Sequence, residues 1–333
     1  MMESERVKAV CLLSGGLDSS LALKIVLDQG VDVTAVHCRG PFGGCTEVRD
    51  SAAGSVAAAL GVRLVVVALE DDYLDIVRSP RYGYGSNVNP CIDCHIYFLK
   101  KAGEVMLKEG ASFVITGEVL GQRPMSQRLD TLKRIEKASG LPGLILRPLS
   151  ARLLDESIPE AKGWVKREDL FAISGRSRKE QLRLAAEYGL RGFSAPAGGC
   201  LLTDPQFAGR VRDLIGRGSL TLPEAGLLRV GRHLRLPLAS KLVVGRNKQE
   251  NDDLAGRIQT GDLVLTTEDC PGPTALLRGS EAPREKELAA RIVARYSDGK
   301  YGDSVTVKIA AGAHEELVSV VPLEADEVGK LII

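Results

Sequence analysis

Residues 14–20 read Ser14-Gly15-Gly16-Leu17-Asp18-Ser19-Ser20, between the apolar run Val7 to Leu13 and the helix-like stretch Leu21 to Leu27. A buried strand, a glycine turn with hydroxyls and a helix start build a phosphate cradle, because unpaired amides at a helix N-terminus point at an anion. Gly15 and Gly16 permit backbone conformations that a side chain would block, so successive N–H groups can converge on a pyrophosphate, and Ser14, Ser19 and Ser20 add hydroxyl donors. No Lys follows, so this is not a Walker A loop. Asp18 is the informative residue, since a carboxylate inside an anion site is repulsive unless a divalent cation bridges it to the phosphates. The loop therefore predicts ATP with Mg2+ on Asp18. The bland alternative is an ordinary strand-to-helix turn.

A second set of reactive residues is Cys91-Ile92-Asp93-Cys94-His95. It opens a predicted helix running to Lys108, after a segment (78–90) rich in Gly, Pro, Asn, Ser and Tyr. A helix N-terminus lowers a thiol's pKa, and the i, i+3 spacing puts both sulfurs on one face. Four readings compete: a buried structural pair, a c-type haem attachment, a zinc site, or a redox-active or cluster-binding set. Haem attachment requires export, which the N-terminus Met1-Met2-Glu3-Ser4-Glu5-Arg6 does not signal. Zinc would need a ligand beyond Cys91, Cys94 and His95. The redox or cluster set is preferred, with Cys200 as its expected third member on the compact turn after Pro196, Gly198 and Gly199. Cys11 reads as core, Cys38 as partly core and Cys270 as a loop residue, while Cys45 stays open. Seven cysteines, an odd number, favour thiol or metal chemistry over a disulfide framework.

These groups need a scaffold. The first two hundred residues alternate apolar runs (31–37, 62–69, 112–116) with amphipathic or Ala-rich stretches (48–60, 125–139, 177–189), and a short strand is expected at 143–147. That rhythm predicts an α/β fold with a doubly wound parallel sheet, whose ligands lie beyond the carboxyl ends of the strands. At 333 residues the chain exceeds the ~250–300 at which single cores stop growing. Two domains are expected, 1–204 and 205–333, the second a smaller α+β unit with strands at 262–266 and 304–309. A net charge of +1 confines any nucleic-acid binding to local patches. From Pro205 to Gln249 nine Lys or Arg face two acids, a stretch able to neutralise phosphates. No apolar stretch approaches the ~20 residues of a bilayer span, so a cytoplasmic protein with no membrane partner is expected.

The spelling Ser-Gly-Gly-x-Asp-Ser after a first strand resembles the pyrophosphatase loop of the adenine-nucleotide alpha-hydrolase-like enzymes, which split ATP into AMP and pyrophosphate. Residues 113–127 resemble the Thr-Gly-x-x-Leu-Gly-Gln-x-x-Ser-Gln stretch of the tRNA 4-thiouridine synthases. Asn89-Pro90-Cys91-Ile92-Asp93-Cys94 resembles the Asn-Pro-x-x-x-Cys of the tRNA 2-thiouridylases. The resemblance implies an ATP-dependent RNA sulfurtransferase acting on tRNA, which adenylates a uridine carbonyl and replaces its oxygen with sulfur. It assigns the pyrophosphate to Ser14, Gly15, Gly16, Ser19 and Ser20, Mg2+ to Asp18, and the adenosine to backbone near His37 or Thr116-Gly117. Cys200 falls where the 2-thiouridylases carry a second cysteine, and Cys91 departs from the Asp that many of them have. Three-cysteine members of this group hold a [4Fe-4S] cluster, so the resemblance implies such a cluster on Cys91, Cys94 and Cys200. Two routes stay open: a persulfide on Cys200 with Cys94 reducing it, or sulfide on an open iron. The sulfur donor would be a cysteine desulfurase or sulfide.

Gln122, Arg123, Gln127 and Arg128 lead into a helix with Lys133, Arg134 and Lys137, and Ser174 to Lys179 forms a second basic cap. Both read either as solvated faces or as holds for an RNA backbone. Residues 240–252 resemble the Gly-Arg-Asn-x-x-Gln-Asn segment of the NFACT RNA-binding module. Two rival functions are carried: a pyrophosphatase adenylating a small carboxylate or amide, and a non-catalytic RNA-binding accessory protein.

Overall fold

The computed structural model describes residues 6–42, 51–194, 200–280 and 282–333. Cys45 and the turn 195–199 lie outside the described residues, so the expectations for them are not taken further. The chain divides into two compact units, Met1–Asp204 and Pro205–Ile333.

In the first unit the order is β1 (Lys8–Leu12), α1 (Leu17–Leu27), β2 (Asp32–Arg39), α2 (Ala52–Ala59), β3 (Leu64–Ala68), α3 (Asp71–Arg78) and α4 (Cys91–Lys108). Then come β4 (Phe113–Ile115), α5 (Leu129–Ser139), β5 (Ile145–Leu146), α6 (Ile158–Ala161) and α7 (Lys179–Glu187). The five described strands form a parallel sheet in the order β3-β2-β1-β4-β5. Strand order therefore reverses between β1 and β4. At such a reversal the loops leave the sheet in opposite directions and open a crevice at the carboxyl ends. The Ser14–Ser20 loop follows β1 and Thr116-Gly117 follows β4, so both border that crevice.

Both sheet faces are covered, which is why the central strands read as continuous apolar runs. One face packs Leu21, Leu23, Val26, Phe113, Ile115, Leu184 and Ala185, joining α1 and α7 to the sheet. The other packs Val10, Val36 and Val114 against Ile92, Ile96, Leu99, Ala102 and Val105 of α4. That i, i+4, i+7 spacing is the apolar stripe of an amphipathic helix, and it orients the first turn of α4 with its two cysteines. Cys11 is fully buried and Cys38 is packed beside the second core, as expected.

Element boundaries are tighter than the sequence pattern suggests. The helix expected over 125–139 begins only at Leu129, because residues 121–127 form a turn in which Gln127 N–H donates to Arg123 C=O and Gly121 N–H to Gln127 C=O. The helix expected from Ser177 starts at Lys179, and the strand expected over 143–147 has two residues.

The second unit runs α8 (Pro205–Gly216), α9 (Leu222–Leu227), β6 (Arg232–Arg235), β7 (Lys241–Val244), α10 (Lys248–Ala255), β8 (Leu263–Thr267) and β9 (Ala275–Arg278). It ends with α11 (Pro283–Arg295), β10 (Val305–Ala311), β11 (His314–Val320) and α12 (Ala325–Leu331). Its six described strands form an antiparallel sheet ordered β11-β10-β8-β9-β7-β6. Alternate residues of β10, Val305, Val307 and Ile309, are buried against Ala289, Ile292 and Val293 of α11. No described helix is long and apolar enough to cross a membrane.

Candidate active site

The turn after β1 is shaped by its glycines and closed by its serines. Gly15 has φ +80°, and a Cβ there would stand 2.4 Å from Ala53 N. Its carbonyl accepts from Ser194 N–H at 2.9 Å. Ser14 is exposed and its Oγ lies 3.0 Å from Ser19 Oγ, which donates to Gly16 C=O. Ser20 is fully buried, and its N–H and Oγ both donate to Gly16 C=O at 3.1 and 2.9 Å, the carbonyl that Ser19 Oγ also uses. Gly117 presses on the same turn from β4, where a Cβ would meet Ser19 N at 2.4 Å. His37 Nδ1 lies 2.9 Å from Leu13 C=O, next to the loop.

Asp18 is the only loop carboxylate. Its Oδ2 accepts from Gln122 Nε2 at 2.6 Å, while Oδ1 is buried with no partner. An acceptor-only oxygen left bare at that depth is a cost unless a cation meets it. The residues therefore fit Mg2+, which is held by one or two carboxylates together with substrate phosphates. Gln122 thus points inward at Asp18, and Gln127 is buried. Neither is free to grip an RNA backbone as the sequence suggested.

The thiols are gathered by the segment before α4. Asp93 accepts from Arg81 N–H and Tyr82 N–H, folding that segment onto the helix start. Asn87 Nδ2 donates to Thr203 C=O at 2.8 Å and Val88 N–H to Leu202 C=O, which brings the chain after Cys200 alongside. Cys91, Cys94 and Cys200 consequently share one neighbourhood, in which the charge of Cys91 and Cys200 raises the pKa of Cys94. Burial first, and then these charges, push Cys94 up to about 12; its Sγ lies 3.4 Å from Tyr73 Oη. Cys200 is an exposed residue whose sulfur is partly shielded from water, which raises its pKa as well. Cys91 goes the other way. Burial would lift it, but His95 first, and then Ser126 and the charge of Arg123, favour the thiolate and bring it below the ordinary thiol range.

His95 can do this because it is held protonated. Its Nδ1 donates to Glu118 Oε1 at 2.8 Å. Glu118 also accepts from Arg147 Nε at 2.9 Å and Thr116 Oγ1 at 3.2 Å, and Arg147 Nη1 donates to Glu136 at 2.9 Å. Burial opposes ionisation of Glu118, yet Arg147 and His95 hold it at about 2. Two sequence-adjacent pairs tie this network to the loop. Glu118 follows Gly117, which touches Ser19; Arg123, felt by Cys91 and Cys200, follows Gln122, which holds Asp18. Consecutive Cα atoms are ~3.8 Å apart, so the residues that act on the thiols are chain neighbours of those that contact the loop.

Among the described residues no group of three His, Cys, Asp or Glu is close enough to hold a metal ion. A zinc ion with Zn–S bonds of ~2.3 Å needs ligands that nearly touch, so the zinc reading finds no prearranged site. Thiols are the donors that an iron–sulfur cluster takes, and Cys91, Cys94 and Cys200 feel one another's charge.

A family model described as "Thiamine biosynthesis protein (ThiI)" matches residues 4–168. Residues 4–168 form a ThiI-type domain. A second model, "NFACT protein RNA binding domain", matches residues 231–332, and the chain thus joins an NFACT-type domain to the ThiI-type one. Among curated relatives, a tRNA-specific 2-thiouridylase from Dehalococcoides mccartyi is 35% identical over 117 residues, 32% of each chain. A probable tRNA sulfurtransferase from Thermococcus kodakarensis is 28% identical over 155 residues, 46% of this chain and 40% of its own. The chain therefore spans well under half of either relative. A crystal structure of a 4-thiouridine synthetase bound to RNA and ATP is 23% identical, with TM-score 0.36, covering 55% of this chain and 52% of that one. Gln181, Tyr73, Glu118 and Arg147 were not legible as site residues; only the Thr116–Gln127 run signalled that buried polar groups would gather there.

Proposed function

We propose that this chain is an ATP-dependent RNA sulfurtransferase acting on tRNA. The observation that carries the reading is the bare Asp18 Oδ1 in the glycine turn, one contact away from a loop whose next residue, Arg123, acts on Cys91 and Cys200. A pyrophosphatase for small acids needs the first half but has no use for three gathered thiols.

A uracil carbonyl oxygen is a poor leaving group. Attack of that oxygen on the α-phosphorus of ATP expels pyrophosphate and leaves an AMP ester, which a sulfur nucleophile displaces as AMP. The amides and hydroxyls of Ser14, Gly15, Gly16 and Ser19 would bind the departing pyrophosphate, where charge builds. Asp18 would hold Mg2+ against it. Arg123 is placed to balance negative charge at the thiols and Cys91 to be present as thiolate, while Cys94, protonated beside Tyr73 in the metal-free protein, would give up its proton on binding iron. A [4Fe-4S] cluster held by Cys91, Cys94 and Cys200 would supply an iron-borne sulfide as the nucleophile. The NFACT-type domain would capture the RNA.

The test is anaerobic protein given MgATP, sulfide and unmodified tRNA. Asp18→Asn is expected to abolish pyrophosphate release. Cys91→Ala, Cys94→Ala and Cys200→Ala are each expected to abolish thiolation. Pyrophosphate release that needs no RNA and survives all three cysteine changes would instead favour the small-molecule reading.

A further inference from the structure

We propose that Gln181 on α7 is a positioning residue that holds the Gln122 amide against one oxygen of Asp18 and so leaves the other open to a divalent cation. The inference rests on the nucleotide-binding reading above, and Gln181 lies beyond the residues matched by the ThiI-type model.

Gln181 is fully buried, and its Nε2 donates to Gln122 Oε1 at 2.9 Å. Gln122 Nε2 in turn donates to Asp18 Oδ2 at 2.6 Å. The direction of this relay is forced by chemistry. An ionised carboxylate only accepts, so Gln122 must show it the NH2 end, and its oxygen then faces Gln181, which must also donate. The two bonds span 59 and 104 residues of sequence, so the relay is built by the fold and not by local turns. α7 is anchored by Leu184 and Ala185 in the core shared with Leu21 of α1, the helix that carries Asp18.

Without Gln181 the Gln122 side chain keeps only its bond to Asp18 and can swing, so that its NH2 group reaches the second carboxylate oxygen and occupies the place of the cation. Gln181 would therefore act on the metal-dependent part of nucleotide binding and not on the phosphate cradle itself, whose donors belong to the loop.

The experiment measures binding of a non-hydrolysable ATP analogue to the full chain by calorimetry, with and without Mg2+. Wild type is expected to bind more tightly with the metal. Gln181→Leu is expected to lose about 5- to 10-fold of that gain, the worth of one ordinary hydrogen bond, with metal-free affinity unchanged. Gln181→Met, close to the native length but unable to donate, is expected to lose at least as much. Gln122→Leu should lose the same gain, and the Leu–Leu double variant no more than either single. The inference is overturned if both Gln181 variants keep the full metal-dependent gain, or if metal-free affinity falls equally, as a merely structural role would require. Wild type showing no metal-dependent gain would overturn the underlying nucleotide reading instead.

Discussion

Gly117→Ala probes how closely the two halves of the crevice are pressed together. A Cβ at this position would stand 2.4 Å from Ser19 N and 2.6 Å from Asp18 C, where ordinary contact begins at 3.4 Å. Both obstacles are backbone atoms at the start of α1, so no flexible side chain can swing away. The loop and the β4 end must part by about 1 Å in an interior packed as tightly as a crystal. Such overpacking costs about 1–3 kcal/mol. For a unit of this size each kcal/mol lowers Tm by about 2–4 °C, so a loss of about 2–12 °C is expected in the first unit's transition by scanning calorimetry. The functional effect should be larger, since a misplacement of about 1 Å at reacting groups costs on the order of 100-fold in rate. Gly30→Ala is the control: Gly30 has φ +80°, unlike Gly117, but meets no atom within 4 Å, so it is expected to lose a little stability and keep pyrophosphate release. Gly117→Ala with wild-type pyrophosphate release would refute the claim that Gly117 positions the loop.

Further outcomes follow from the buried charges. Glu118→Gln leaves Arg147 with Glu136 and takes the carboxylate from His95, and weakening such a buried pair is expected to cost at most about 3–5 kcal/mol in urea unfolding. His95 is raised from 6.5 to about 10, so its contribution is whole below pH 6.5 and is lost as pH rises through 10. Glu118 is lowered from 4.5 to about 2, so its contribution is whole above pH 4.5 and is lost as pH falls through 2. Wild-type stability from this pair should therefore be greatest between pH 4.5 and 6.5, and Glu118→Gln should flatten both limbs; unchanged limbs would contradict the network. In iron-free protein, iodoacetamide at neutral pH is expected to label Cys91 and Cys200 before Cys94, read by peptide mass; early labelling of Cys94 would contradict its burial and raised pKa. In RNA-binding titrations Lys248→Ala should lower the salt slope by about 1, whereas Lys241→Met should leave it unchanged, because Lys241 is buried on Glu224 at 2.9 Å. A lowered slope for Lys241→Met would place that side chain at phosphate after all.

Local pattern made the phosphate turn, the long α4 and the parallel sheet legible, since glycine spacing, apolar runs and the i, i+4 stripe act over a few residues. The register of partners far apart in sequence was not. Nothing in Gln181 or Gln122 marks them as a pair, because their meeting depends on α7 packing onto α1. Which cations of 205–249 are engaged was equally hidden: Arg235 pairs with Asp213, Lys241 with Glu224, and Arg246 with Glu250 just beyond the stretch. Likewise His95 looked like a spare metal ligand, and only the fold shows it spent on Glu118 and Cys91.

The central claim, that one site couples ATP cleavage to sulfur insertion, is tested most directly by counting products. Anaerobic wild-type protein with MgATP, sulfide and tRNA should form AMP and thiolated uridine in equal amounts by nucleoside mass spectrometry, with Asp18→Asn losing both. AMP formed at the wild-type rate with no oxygen-for-sulfur exchange in any uridine would contradict it.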